Sequence, residues 1–166
     1  VMADRGWLRA DGYGTGSSGS IRIDASSIEM RDAALISNSG RFGSGLAHAG
    51  EIDINTETLF IKGLEGTQYP FTWDGTGIIS TVADGAGSSV IISATESITM
   101  ADRASMGSSS FGAGNAGLFR VVTPRLELLN GSQIVNSAFG IGRGGDIEIN
   151  AGLLSVSGVN GDPFGD

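Results

Sequence analysis

Equivalent apolar residues return at intervals of 28. Met2, Met30, Met100, Leu128 and Val156 occupy one position, with steps of 28, 70, 28 and 28, and Ile61 divides the 70 into 31 and 39. A glycine follows Met2, Met100 and Leu128 by 17 residues, at Gly19, Gly117 and Gly145. From each of these the unit opens with apolar residues at +2 and +4, a small residue at +6, and apolar residues at +9 and +11. The first reads Ile21, Ile23, Ala25, Ile28, Met30 and the last Ile147, Ile149, Ala151, Leu154, Val156. A chain repeating at this length is constrained to a solenoid, whose units bury their apolar faces against one another and present function along a surface.

The unit opening at Gly117 shows the shape of one coil. Phe119, Val121 and Thr123 alternate with Arg120 and Val122, the period of a strand with one buried face. Pro124 and Arg125 mark a corner, Leu126 and Leu128 restart the alternation, and Asn130-Gly131 turns toward a third strand at Ile134. The glycine-rich stretch from Phe139 to Gly145 leads back to the start. Three short strands and three corners predict an all-β, right-handed parallel β-helix of about five coils, with strands stacked at about 4.8 Å. A left-handed hexapeptide helix is the nearest competitor, but no six-residue period is present. The coils fall at 2–18 (partial), 19–49, 50–88 with an insertion at 62–84, 89–116, 117–144 and 145–166 (partial). Beginning and ending inside a unit, the chain reads as a piece of a longer rod.

Stacking gives meaning to the remaining positions. Asp4, Asp32, Asp102 and Asn130 recur after the second strand, where such residues bond to nearby turn amides. Tyr13, Phe111 and Phe139 coincide at another corner, joined by Phe42 after a small insertion, and each precedes Gly-x-Gly. An aromatic stack there is expected to bury area between coils, with the glycines supplying backbone conformations other residues resist.

Two units are longer than 28. One gains three residues around Arg41–Ala49 and holds the single histidine, His48. The other gains eleven between Lys62 and Ser88, including Tyr69, Pro70, Phe71 and Trp73. Insertions in solenoids map to loops and often to binding faces. The loop aromatics Tyr69, Phe71 and Trp73 are therefore the candidate binding residues, against the plainer expectation that they fold back over the coil. Val90, Ile91 and Ile92 are contiguous, which predicts a bulge and leaves two registers open.

Composition narrows the function classes. The net charge is −8, with one lysine and nine scattered arginines, which disfavours nucleic acid. No apolar run approaches the roughly 18 residues of a membrane-spanning helix. There is no cysteine, so disulfide and thiol chemistry are excluded.

Motifs that suggest chemistry have structural readings here. Gly14–Gly19, Gly112–Gly117 and Gly140–Gly145 match Gly-x-Gly-x-x-Gly, but each leads into a strand rather than the helix a dinucleotide site requires. Calcium-binding nonapeptide repeats need tandem spacing that Gly144-Gly145-Asp146 does not provide, so no metal or other cofactor is expected. Arg22, Asp53, Arg120 and Glu148 share an outward column, with Asp24 and Asn55 beside it; alternating charge predicts cross-strand pairs rather than a catalytic cluster. His48 has no serine or cysteine motif to pair with.

The units Gly145–Ala151, Leu126–Leu128 with Asn130–Ile134, and Phe139–Gly142 resemble the passenger repeats of filamentous-haemagglutinin-like exoproteins of two-partner secretion. The resemblance covers nearly the whole chain except Lys62–Asp84; the family's amino-terminal secretion domain, with its Asn-Pro motifs, has no counterpart here. It implies a secreted or surface-attached rod on a Gram-negative-type bacterium, non-catalytic, exported through an outer-membrane transporter. It further implies adhesion, biofilm formation or cell contact through a glycan or protein on a host or neighbouring cell. The alternative is a carbohydrate-active β-helix enzyme, a polysaccharide lyase or hydrolase.

Overall fold

The computed structural model of the chain describes residues 1–13, 16–41, 48–64, 75–85 and 87–158. Among them there is no helix. Eleven strands run in chain order: β1 (Trp7–Arg9), β2 (Gly12–Tyr13), β3 (Ile21–Met30), β4 (Leu35–Arg41), β5 (Ile52–Lys62), β6 (Gly77–Val82), β7 (Val90–Ala101), β8 (Ser105–Ser110), β9 (Phe119–Leu128), β10 (Gln133–Ala138) and β11 (Ile147–Val156). Every strand pairing among the described residues is parallel. One sheet stacks β3, β5, β7, β9 and β11, and the other stacks β1, β4, β6, β8 and β10, with β2 continuing the β1 level against β4. Each strand meets its equivalent one coil away, so the chain is a parallel β-solenoid of about four turns.

The expected three strands per coil are two. The first and second join into one strand of 10 to 12 residues that bends in the middle. The pairing skips one residue there: Ala25 and Ser27 pair with Thr56 and Thr58, and Thr123 and Arg125 with Ala151 and Leu153. Threonines hold the bend from inside. Thr56 Oγ1 donates to Thr58 O at 3.0 Å and Thr123 Oγ1 to Arg125 O at 3.2 Å. Pro124 lies at the bend, where its missing N–H breaks no rung.

Inward residues of the long strands form columns that are the core. Ile52, Ile54, Ile61, Ile92, Ile98, Phe119 and Val121 have no exposed surface, and Ile36, Ile78 and Met106 face them from the shorter sheet. Each such side chain contributes about 1.5–3 kcal/mol by leaving water. The columns follow the sequence period: Ile28, Leu59, Ile98, Leu126 and Leu154 are successive rungs.

The register locates the longer insertion and the bulge. Lys62 pairs with Ala101 and Gly77 with Ser105, so the eleven extra residues all lie between Lys62 and Gly77. Val90 follows Val82 by eight residues, whereas Phe119 follows Ser110 by nine. One residue is missing at that corner and one is added inside β7, where the register shifts between Ala94 and Ser97. The bulge restores the phase. Val90 and Ile92 point inward and Ile91 outward, which resolves the two registers left open by the sequence.

Candidate functional site

The Asp/Asn column is a set of tight turns between the sheets. Asp4-Arg5, Asp32-Ala33, Asp102-Arg103 and Asn130-Gly131 all have positive φ, from 52° to 75°. The turns close through Gly6 N to Ala3 O at 2.9 Å, Ala34 N to Arg31 O at 3.1 Å, Ala104 N to Ala101 O at 3.2 Å and Ser132 N to Leu129 O at 3.1 Å. Two successive left-handed residues closed this way follow the φ pattern of a type I′ turn, which favours Asn or Asp followed by Gly. Gly63 pairs with Asp102 in the long coil, so the acids are not continuous. Asp102 is flanked by Asn130, whose Nδ2 donates to its Oδ1 at 2.8 Å, and by Lys62, whose Nζ is 3.6 Å from its Oδ2. Among the described residues no three His, Asp or Glu side chains gather to hold a metal ion.

The outward face of the longer sheet carries the charge pairs anticipated from the sequence. Arg22 lies 3.8 Å from Asp53 and 3.2 Å from Asp24, and Asn55 donates to Asp24 at 3.2 Å and to Asp53 at 3.4 Å. Arg120 meets Glu148 at 2.6 Å. Ile91 occupies the rung between the two groups. The hydrogen bond that Arg22 donates to Asp24, with the charges of Asp24 and Asp53, raises the Arg22 pKa. Across the bend, Arg125 bonds Glu127 at 2.7 Å; this bond raises the arginine's pKa and holds the Glu127 carboxyl below its usual value. The arginines are exposed, and such solvent-screened pairs contribute little to stability.

The aromatic corner differs from expectation in two ways. Tyr13 pairs with Arg41, so the column reads Tyr13, Arg41, Ala83, Phe111, Phe139, and Phe42 lies outside the described residues. The aromatics also stay exposed. Phe111 and Phe139 stack with centroids 5.1 Å apart and planes 12° from parallel, yet are 58% and 65% accessible, and Tyr13 is 69%. They cover each other's faces and leave their edges to solvent.

The corner glycines solve a problem of space. Gly112, Gly114, Gly140 and Gly142 do not have left-handed φ. A Cβ on Gly114 would fall on the Gly85 carbonyl oxygen, on Gly140 on that of Gly112, and on Gly142 on that of Gly114. The coils approach too closely for any side chain. In the copies at Gly112–Gly117 and Gly140–Gly145 the Gly-x-Gly-x-x-Gly resemblance therefore records coil contact, and all three copies enter a strand.

Two features escaped the sequence. Asn38 and Asn136 occupy the inward column that Ser80 and Ser108 share, inside the shorter sheet. Asn38 Nδ2 donates to Gly19 O at 2.6 Å and Gly50 O at 2.7 Å, while Ser18 Oγ donates to its Oδ1. Asn136 Nδ2 reaches Gly117 O at 2.6 Å and Asp146 O at 2.8 Å, and its Oδ1 accepts from Ser108 N at 2.9 Å. The inward parity with Ile36 and Ile134 was the available signal. Second, Trp7, Arg9, Asp11 and Tyr13 follow one another at the first level of the shorter sheet's outer face. Arg9 bonds Asp11 and lies 5.0 Å from the Trp7 ring centroid, and Tyr13 Oη is 3.3 Å from Asp11. Farther along that face Ser37, Ser105 and Ser109 are buried, with hydroxyls that have no partner among the described residues.

The candidate binding residues Tyr69, Phe71 and Trp73 lie outside the described residues. His48 is exposed in a connecting stretch and its carbonyl accepts from Ser18 N at 3.0 Å. Among the described residues no helix is long and apolar enough to cross a membrane. No protein-family model, no curated protein and no solved structure matches the chain.

Proposed function

We propose that this chain is a non-catalytic rod segment of a secreted or surface-attached exoprotein, similar to the passenger repeats of filamentous haemagglutinins, that serves adhesion or cell contact. The observation that carries this reading is the in-register stacking of equivalent residues through both sheets, with charged outward groups consumed in pairs between rungs. Such a chain builds length and presents surface. Its partner is a glycan or protein on another cell, and its export runs through an outer-membrane transporter. The test is direct binding of the purified chain to glycan arrays and to cells, with soluble polysaccharide turnover measured alongside. Saturable binding without turnover supports a rod; release of new chain ends from a polysaccharide overturns it.

The enzyme reading has one specific observation in its favour: Arg22, Asp24, Asp53 and Asn55 form a contiguous acid–arginine group on an open strand face. If it were catalytic, Asp24→Asn and Asp53→Asn would each abolish polysaccharide turnover while leaving the circular dichroism spectrum intact.

A further inference from the structure

We propose that Asn130 is a deamidation site, at which the folded protein slowly converts a side-chain amide into a carboxylate. Asn130 is exposed and precedes Gly131, whose lack of a Cβ leaves the main-chain nitrogen open to approach. The other asparagines in the described residues precede Ser, Thr or Ala: Asn38, Asn55, Asn115, Asn136 and Asn150. Asn38 and Asn136 are also committed to carbonyls inside the solenoid. In the reaction the Gly131 nitrogen attacks Asn130 Cγ. The bond from Cγ to the side-chain nitrogen breaks, and ammonia leaves with the proton given up by Gly131. Water then opens the five-membered imide, either at Cγ to give aspartate or at the main-chain carbonyl to give isoaspartate.

The fold favours this position in two ways. Among the described residues the Gly131 N–H is held by Ser157 O at 3.3 Å, whereas neighbouring rungs close at 2.8 Å (Leu129 N to Met100 O) and 3.0 Å (Gln133 N to Ala104 O). The aspartate product also has a ready backbone. Asp4, Asp32 and Asp102 hold the same turn position with φ of 53°, 56° and 55°, against 52° at Asn130. Isoaspartate is different, because it adds a carbon to the main chain between Leu129 O and Ser132 N, which now close at 3.1 Å.

The change has a defined structural consequence. Asn130 Nδ2 is the donor to Asp102 Oδ1 at 2.8 Å, and its loss sets a second carboxylate against the first. Lys62, 3.6 Å from the other Asp102 oxygen, is left as the compensating charge. Deamidation thus weakens one rung between consecutive coils and adds one negative charge.

The experiment incubates the folded chain in mildly alkaline buffer beside a urea-unfolded sample, and follows both by peptide mapping with mass spectrometry. Mapping separates Asn130 from Asn160-Gly161, the other Asn-Gly pair. The expected result is a one-dalton gain at Asn130 in the folded sample, slowed several-fold by Gly131→Ala. Because Gly131→Ala strains the turn, Asn130→Asp serves as a second variant. It is expected to retain the wild-type circular dichroism spectrum and to unfold at lower urea. An Asn130 that stays intact in the folded chain while the unfolded one converts overturns the proposal.

Discussion

The Asn136 carboxamide, inside the shorter sheet, donates to the carbonyl of Gly117 at 2.6 Å, across the corner that leads into the longer sheet. Asn38 does the same two levels before Ser108, to Gly19 and Gly50. These glycine carbonyls lie at the corner, outside both strand ladders, and a buried carbonyl without a partner is costly. These asparagines resolve that cost from inside. Asn38→Ala strands two carbonyls and Ser18, and is expected to lower stability by about 2–3 kcal/mol. Urea unfolding checks this through a reduced midpoint at unchanged slope; an unshifted midpoint would remove the clamp from the account.

Coil contact at the corners gives a second expectation. Gly114→Ala places a methyl on the Gly85 carbonyl, and overpacking of this kind costs about 1–3 kcal/mol. Gly16→Ala meets nothing within 4 Å and should be close to neutral. Thermal melts of the two variants side by side would show the contrast, and equal losses would contradict it.

The unpartnered hydroxyls predict a gain. Ser109 is fully buried and its Oγ has no partner among the described residues. Ser109→Ala removes a desolvated polar atom and should raise stability by about 1 kcal/mol. A lower midpoint in urea would mean that the hydroxyl is bonded.

Acid should act at Glu127. Its folded pKa is lowered, first by the hydrogen bond from Arg125 and then by that residue's charge and by Thr99, against an opposing desolvation. A depressed carboxyl contributes stability that is present above its unfolded pKa and is lost as pH falls through the folded pKa. Carboxyl-carbon NMR titration should place Glu127 below its usual value, and Arg125→Met should return it upward. An unchanged titration in that variant would remove Arg125 as the cause.

Much of this architecture was legible in the period alone. The spacing of Ile21, Ile23, Ala25, Ile28 and Met30 named the inward columns, and the recurrence of Asp4, Asp32, Asp102 and Asn130 marked the left-handed turns. The continuity of the long strand was hidden because Pro124 and Arg125 look like a corner, whereas the bend is supplied by an inward threonine and one skipped rung. At the aromatic corner the spacing of the aromatics gave no sign that Arg41 stands in the column with Tyr13 and Ala83 in the column with Phe111. Asn38 and Asn136 read as ordinary polar strand residues, since a carboxamide's partners are main-chain carbonyls that leave no trace in side-chain pattern. The charge pairs were legible, but no sequence pattern distinguishes a pair that only braces two coils from one that acts on a ligand.

The most direct test of the stacked-coil account is a cross-strand disulfide. Val122 and Asn150 are outward residues paired in register between β9 and β11, and the chain contains no cysteine of its own. Parallel neighbours on one face lie about 4.8 Å apart, within the range a disulfide spans. The Val122→Cys, Asn150→Cys protein should oxidise to an intramolecular bridge that raises the urea midpoint, while Val122→Cys, Gly152→Cys should not. A bridge in the offset protein and none in the paired one would contradict the register on which the solenoid rests.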